Sequence, residues 1–178
     1  MGIVACAPAR PRATHSLKRR SMSDDILSYL PAMRAFARSL CGNAPDADDL
    51  VQETLLRALE NMDRYTPGTN LRAWLFTIMR NRFFTNTAKR ARERTGDTDC
   101  VADTQLVPPK QEWALRMREL ARALNELPVH YRETIVLVVV LEESYQSAAE
   151  ILQCDIGTVK SRVSRARQML KEKLGDKV

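Results

Sequence analysis

The run Tyr145–Leu170, YQSAAEILQCDIGTVKSRVSRARQML, constrains the fold more tightly than any other stretch of the chain. Its periodicity predicts two short helices joined by a tight turn. The first carries Ala148, Ala149, Ile151 and Leu152; the second places Ile156, Val159, Val163, Ala166 and Leu170 at helical i, i+3, i+4 spacing. Asp155 is a candidate cap for the second helix. Small Ala148 and Ala149 let two helices cross closely, as a helix-turn-helix requires. Glycine is the usual residue at such a turn, and Gln153 stands there instead, so the turn either accepts φ > 0 at a cost or avoids it. Off the apolar stripe lie Lys160, Ser161, Arg162, Ser164, Arg165, Arg167 and Lys171. A basic, hydroxylated helix face of this kind can enter a major groove, where Arg or Lys reads guanine edges and the rest hold phosphates.

The remaining features narrow the class. A chain of 178 residues fits one domain or two small ones, and a formal charge of +6 suits a polyanionic partner. The most apolar run, Ile135–Leu141, is too short to cross a bilayer and reads as a buried helix. Cys6, Cys41, Cys100 and Cys154 are scattered and neither His15 nor His130 lies near them, so no metal site or disulfide framework is expected. Ordinary thiols in a reducing, cytoplasmic compartment are the expectation, with redox sensing through Cys41 or Cys100 as the alternative. Residues 1–23 carry five cations (Arg10, Arg12, Lys18, Arg19, Arg20) and no acid. Pro8 and Pro11 oppose an amphipathic transit helix, so a disordered basic tail is expected, and Met22 could be the true start.

From residue 24 the pattern is helical. Leu27, Leu30, Met33, Phe36, Ala37 and Leu40 mark a first helix ended by Gly42 and Asn43. A second opens with Asp46, Asp48 and Asp49 and buries Val51, Leu55, Ala58 and Met62. Asp49, Gln52, Glu53 and Leu56 share another of its faces, either solvated surface or a docking face for a helical partner. After the turn Thr66-Pro67-Gly68-Thr69, Asn70 is placed to cap a third helix bearing Leu71, Trp74, Leu75, Ile78, Met79 and Phe83. Trp74, Thr77 and Asn81 align along one edge, as core packing or as a platform for unpaired bases. Thr95–Gln111 reads as a linker. Beyond it, Trp113, Leu115, Met117, Leu120, Ala121, Leu124 and Leu127 form a helix stopped by Pro128, and a further helix spans His130–Leu141. The expected architecture is all-α: two small helical domains on a flexible linker, residues 24–94 and 112–178, the second ending in the helix-turn-helix. No carboxylate pair, nucleophile beside a base or Gly-rich phosphate loop stands out, so neither catalysis nor a cofactor is expected.

Four segments in order, DADDLVQETLLRAL (Asp46–Leu59), NLRAWLFTIMRN (Asn70–Asn81), LPVHYRETIVL (Leu127–Leu137) and SYQSAAEILQCDIGTVKSRVSRARQML (Ser144–Leu170), resemble the conserved regions of extracytoplasmic-function (ECF) sigma factors. The wording PGTNLRAWLFTIMRN is similar to the alphaproteobacterial general-stress group. Departures from the family pattern are Gln153 for glycine, and Gln146 and Ser147 where acids are common. The resemblance implies an initiation factor that docks on core RNA polymerase, reads the −35 element of promoter DNA and opens the −10 element. It assigns Asp49, Gln52 and Glu53 to the polymerase, Trp74, Arg80 and Asn81 to the −10 region, and Lys160, Ser161, Arg162 and Arg165 to the −35 helix. It also implies a small anti-sigma factor that clasps both domains, leaving the free protein extended. A stand-alone helix-turn-helix repressor would use the same C-terminal helix but would leave Asp49, Gln52, Glu53 and the Trp74 edge without a role.

Overall fold

The computed structural model describes residues 26–66, 68–93 and 111–175. The basic tail expected over 1–23, most of the expected linker and Pro67 lie outside them. Every regular element among the described residues is helical. In chain order these are α1 (Leu30–Cys41), α2 (Ala44–Glu60), a 3₁₀ turn (Met62–Arg64), α3 (Leu71–Glu93), α4 (Gln111–Asn125), α5 (Val129–Ile135), a π turn (Val136–Val140), α6 (Tyr145–Leu152) and α7 (Ile156–Leu174). Helix α4 already begins at Gln111, which the sequence pattern places in the linker.

The boundaries follow from local chemistry. Pro31 sits in the first turn of α1, where its missing N–H costs nothing, and Gly42 ends the helix at φ +76°. Asn43 caps α2: its Oδ1 accepts from the Asp46 N–H at 2.9 Å while its Nδ2 donates to the Asp46 carboxylate at 2.9 Å. The Asn70 Oδ1 accepts from the Ala73 N–H at 3.0 Å at the head of α3, as expected. At the head of α6 the Ser144 Oγ accepts from the Ser147 N–H at 3.0 Å. Asp155 does occupy the N-cap position of α7, but its side chain makes no capping hydrogen bond.

The turn between α6 and α7 adopts the left-handed geometry. Gln153 lies at φ +54°, and the Cys154 N–H reaches back to the Ala149 carbonyl at 3.1 Å, the wrap-around pattern that closes a helix on a left-handed residue. A Cβ is unfavourable there. Gln153→Gly is therefore expected to stabilise the chain by about 0.5–1 kcal/mol. A raised urea midpoint with an unchanged slope would bear this out; an unchanged or lowered midpoint would show that Gln153 carries no strain.

Met33, Phe36, Ala37 and Leu40 of α1 recur at i, i+3, i+4, i+7 and are buried against Val51 and Ala58 of α2 and Leu75, Phe76 and Met79 of α3. Phe36 and Phe76 meet edge to face with centroids 5.3 Å apart, both fully buried, each contributing about 1.5–3 kcal/mol from burial alone. In the C-terminal half, Leu137, Ile151, Val159 and Val163 are buried with Ala148, Ala149 and Ala166. Some expected core residues lie outside it: Leu27 is 56% exposed, Leu115 57%, Met117 49% and Ile156 38%. The expected helix His130–Leu141 ends as an α-helix at Ile135, and the π turn that follows turns Val139 and Val140 outward.

The two halves do not stand apart. One cluster of buried residues runs through both, and α3 packs along α6 while α1 packs against α5. Where an extended free chain was expected, the structure brings the halves into contact through residues that are distant in sequence and carry no periodic signal.

Candidate nucleic-acid interface

The α7 face opposite Val159, Val163 and Ala166 is built as the sequence implies, with one exception. Lys160, Ser161 and Arg165 are exposed, and the Ser161 hydroxyl donates to the Thr158 carbonyl at 2.9 Å. Arg162 is only half-exposed, and its positive charge favours the ionised form of the buried Glu133 carboxylate. Arg167 and Lys171 extend the exposed cationic strip.

The −10 candidates are separated by the fold. Trp74 is half-buried against the core and its ring lies 5.3 Å from that of Tyr65, whose hydroxyl donates to the Thr69 carbonyl at 2.6 Å. Its free edge and the exposed Asn81 line an open cleft of about 360 Å³ together with Arg57, Asn61, Arg64, Ile78, Arg82 and Thr85. Arg57, Asn61 and Arg64 come from the end of α2 and the 3₁₀ turn, and the α3 pattern alone could not reveal them. Thr77, aligned with Trp74 and Asn81 in sequence, instead donates back to the Ala73 carbonyl at 2.8 Å. A planar aromatic, an amide and several guanidinium groups around one concavity can stack and hydrogen-bond an unpaired base.

Arg80 points the other way. It grips Glu133 through Nε at 2.9 Å and Nη2 at 3.2 Å, and its guanidinium lies 4.9 Å from the Phe84 ring centroid. Glu133 is fully buried, and this burial pushes its carboxyl above the ordinary carboxylate range against the pull of Arg80. The arrangement makes Arg80 part of the contact between the halves rather than of the Trp74 cleft.

On α2, Asp49 and Gln52 are exposed and Leu56 beside them is 61% exposed. Glu53 is engaged within the chain: its carboxylate accepts from the Arg82 Nε at 2.7 Å and the Asn86 Nδ2 at 2.9 Å. The Arg82 hydrogen bond holds its pKa below the usual value. Part of the acidic face therefore ties α2 to α3, and the position of Arg82 could not be read from the α2 pattern.

No helix among the described residues is long and apolar enough to cross a membrane, and those residues form no cluster of His, Cys, Asp and Glu able to hold a metal.

Residues 26–93 match the model of sigma-70 region 2, and residues 117–170 match that of sigma-70 region 4. The chain is 51% identical over 150 residues to the ECF RNA polymerase sigma factor EcfG of Rhodopseudomonas palustris, covering 84% of this chain and 83% of that protein. It is 30% identical over 168 residues to the ECF sigma factor SigW of Bacillus subtilis, covering 88% and 90%. Among solved structures it is similar to the sigma factor RpoE of Bartonella quintana, crystallised with the anti-sigma factor NepR, at 42% identity and a TM-score of 0.79 over 89% of this chain and 99% of that one.

Proposed function

The chain belongs to the ECF sigma factors of the sigma-70 family, and from that premise we propose that it carries core RNA polymerase to promoters, reading the −35 element as duplex through α7 and opening the −10 element at α3, in a stress response. Sigma factors are transcription initiation factors and not enzymes. The observation that carries the residue-level reading is the presence, on one chain, of an exposed cationic groove-sized helix and of a separate aromatic-amide cleft. Lys160, Ser161, Arg162 and Arg165 are proposed to contact the −35 duplex. Asn81 and the Trp74 edge are proposed to hold unpaired −10 bases, with Arg57 and Arg64 supplying positive charge. Run-off transcription with core polymerase tests the whole: the chain directs initiation from a cognate promoter, whereas a promoter-bound chain that only represses would refute it. We place this activity in the cytoplasm with the polymerase.

The polymerase-facing surface is proposed to be Asp49, Gln52 and the exposed Leu56, with Glu53 as the residue that fixes the face against α3. The double substitution Asp49→Ala with Gln52→Ala removes no side-chain contact described above. It is expected to weaken core binding by about tenfold while leaving thermal unfolding within about 0.5 kcal/mol of the parent. Unaltered affinity in a pull-down titration would remove these residues from the surface.

A small anti-sigma partner is proposed because the similar RpoE was crystallised with one. Co-purification from unstressed cells should yield this partner, and recovery of polymerase alone would count against it.

A further inference from the structure

Trp74, Ile78 and Arg82 recur at i, i+4 and i+8, which sets them in a row along α3, each about 6 Å further along the axis than the last. All three line the open cleft. Three of the cleft residues are arginines, Arg57, Arg64 and Arg82, and they are not alike. Arg57 and Arg64 are exposed, and among the described residues neither guanidinium has an ion pair or a hydrogen bond. Arg82 is half-buried and anchored. Its Nε donates to the Glu53 carboxylate at 2.7 Å, and the same Glu53 oxygen accepts from the Asn86 Nδ2 at 2.9 Å. Neither Nη1 nor Nη2 of Arg82 donates a hydrogen bond among the described residues.

The proposed function puts the opened −10 strand in this cleft. Resting on that reading, we propose that Arg82 binds a backbone phosphate of the unpaired strand, and that Glu53 is the positioning residue that holds Arg82 for it. A base stacked on Trp74 lies against the aromatic and apolar part of the row, which suits the face of a base. Arg82 stands two helical turns from Trp74, about 12 Å along the axis, beyond the thickness of one stacked base. What meets it there is the sugar–phosphate chain leading to the next nucleotide. With Nε held by Glu53, the guanidinium presents its end: two parallel N–H groups, one from each Nη, that match two oxygens of a phosphate.

Glu53 contributes direction rather than charge. An arginine that samples its rotamers freely loses that freedom when it grips a phosphate, whereas one tethered at Nε has already lost much of it on folding. Arg57 and Arg64 are of the first kind and Arg82 is of the second. The tether is present at neutral pH, because the Arg82 hydrogen bond holds the Glu53 pKa below its usual value and keeps the carboxylate ionised. As a bare charge, Glu53 repels the strand; as an anchor, it aims a cation at it. The two effects have opposite signs, so the direction in which its loss moves DNA affinity separates a positioning role from a tie that only joins α2 to α3.

Fork-junction DNA tests this: duplex upstream and single-stranded through the −10 segment, taken from a promoter at which the chain directs run-off transcription. Each variant is assembled with saturating core polymerase, so that affinity for core does not enter. Arg82→Ala should weaken fork binding about tenfold to hundredfold and make the plot of log affinity against log salt shallower by about 0.7, one single-strand phosphate. A neutral methylphosphonate placed at each −10 linkage in turn should weaken the parent at one linkage and leave Arg82→Ala indifferent there. Arg82→Lys keeps the charge but cannot pair with Glu53 and still offer two parallel donors, so it should stay within about threefold of Arg82→Ala. Glu53→Ala should weaken binding about threefold to tenfold, although it removes an acid, and should weaken it no further in the Arg82→Ala chain. Glu53→Gln, whose amide oxygen can still accept from Nε, should recover most of that loss. Parental affinity and salt slope in Arg82→Ala, or sensitivity retained at the same linkage, overturns the phosphate contact. Glu53→Ala that binds the fork as tightly as the parent, or more tightly, overturns the positioning role. A parent chain that gives no run-off overturns the proposed function and this contact with it, whereas run-off and −10 opening that survive Arg82→Ala unchanged overturn the contact alone.

Discussion

Arg80→Ala is expected to lower the stability of the folded chain by about 3–5 kcal/mol at neutral pH, the largest effect of any charged residue among the site residues. The loss comes from what stays behind. Glu133 is fully buried, and without the two Arg80 hydrogen bonds it becomes an ionised carboxylate with only the weaker help of Arg162 and His130. The pH dependence has a definite sign. Burial already raises the Glu133 pKa in the folded chain, and removing Arg80 raises it further. A group with a raised folded pKa contributes stability that is present below its unfolded pKa and lost as pH rises through the folded one. The Arg80→Ala deficit should therefore be greatest at neutral pH and shrink in mild acid, where Glu133 takes up a proton. Urea unfolding of both proteins at the two pH values measures it; a small deficit independent of pH would show that Arg80 is not needed where it sits. The pair Glu53–Arg82 behaves oppositely. Its lowered Glu53 pKa gives stability that disappears as pH falls through the folded value, and Arg82→Ala should cost far less because water reaches Glu53. A transcription defect in Arg80→Ala accordingly reports folding first and promoter contact second.

Arg165→Ala and Asn81→Ala are expected to fail at different steps. Arg165 is exposed on α7 whereas Arg162 is only half-exposed, which makes Arg165 the better probe of the two. If its guanidinium makes a bidentate contact to guanine, truncation costs about 1–3 kcal/mol of −35 affinity and relaxes sequence preference at that base. If it touches phosphate only, the loss is uniform across sequences and the salt dependence becomes shallower. Titration of matched and mismatched −35 duplexes at two salt concentrations separates the two outcomes, and unchanged binding in all of them would remove Arg165 from the surface. Asn81→Ala should leave −35 binding intact and abolish most of the −10 opening seen by permanganate footprinting. Asn81 is exposed, so its loss should scarcely touch stability. Trp74→Ala is a poorer probe, since Trp74 packs on Tyr65 and the core, and losing such an aromatic costs about 3–5 kcal/mol. Normal opening with normal −10 preference in Asn81→Ala would take Asn81 out of the cleft's function.

What the amino-acid order determined by itself is everything that depends on neighbours along the chain. Helices α1 to α7, the Asn70 cap, the Gly42 terminus and the basic face of α7 follow from periodicity and local hydrogen bonding, which act over a few residues. The strain at Gln153 was likewise legible as an alternative, because a turn that short restricts φ whatever surrounds it. Only the tertiary structure decided which residues on those faces are free. Asp49, Gln52 and Glu53 look equivalent on α2, yet Glu53 alone meets Arg82 and Asn86 from α3. Trp74, Arg80 and Asn81 occupy one short stretch of α3, yet the helix turns Asn81 to the cleft and Arg80 to Glu133, 53 residues further on. Nor could any local pattern show that α3 packs on α6. The halves are joined by a shared apolar cluster and by charges paired across long sequence separations, and their pairing is set by which surfaces pack together, not by the order in which the residues are strung.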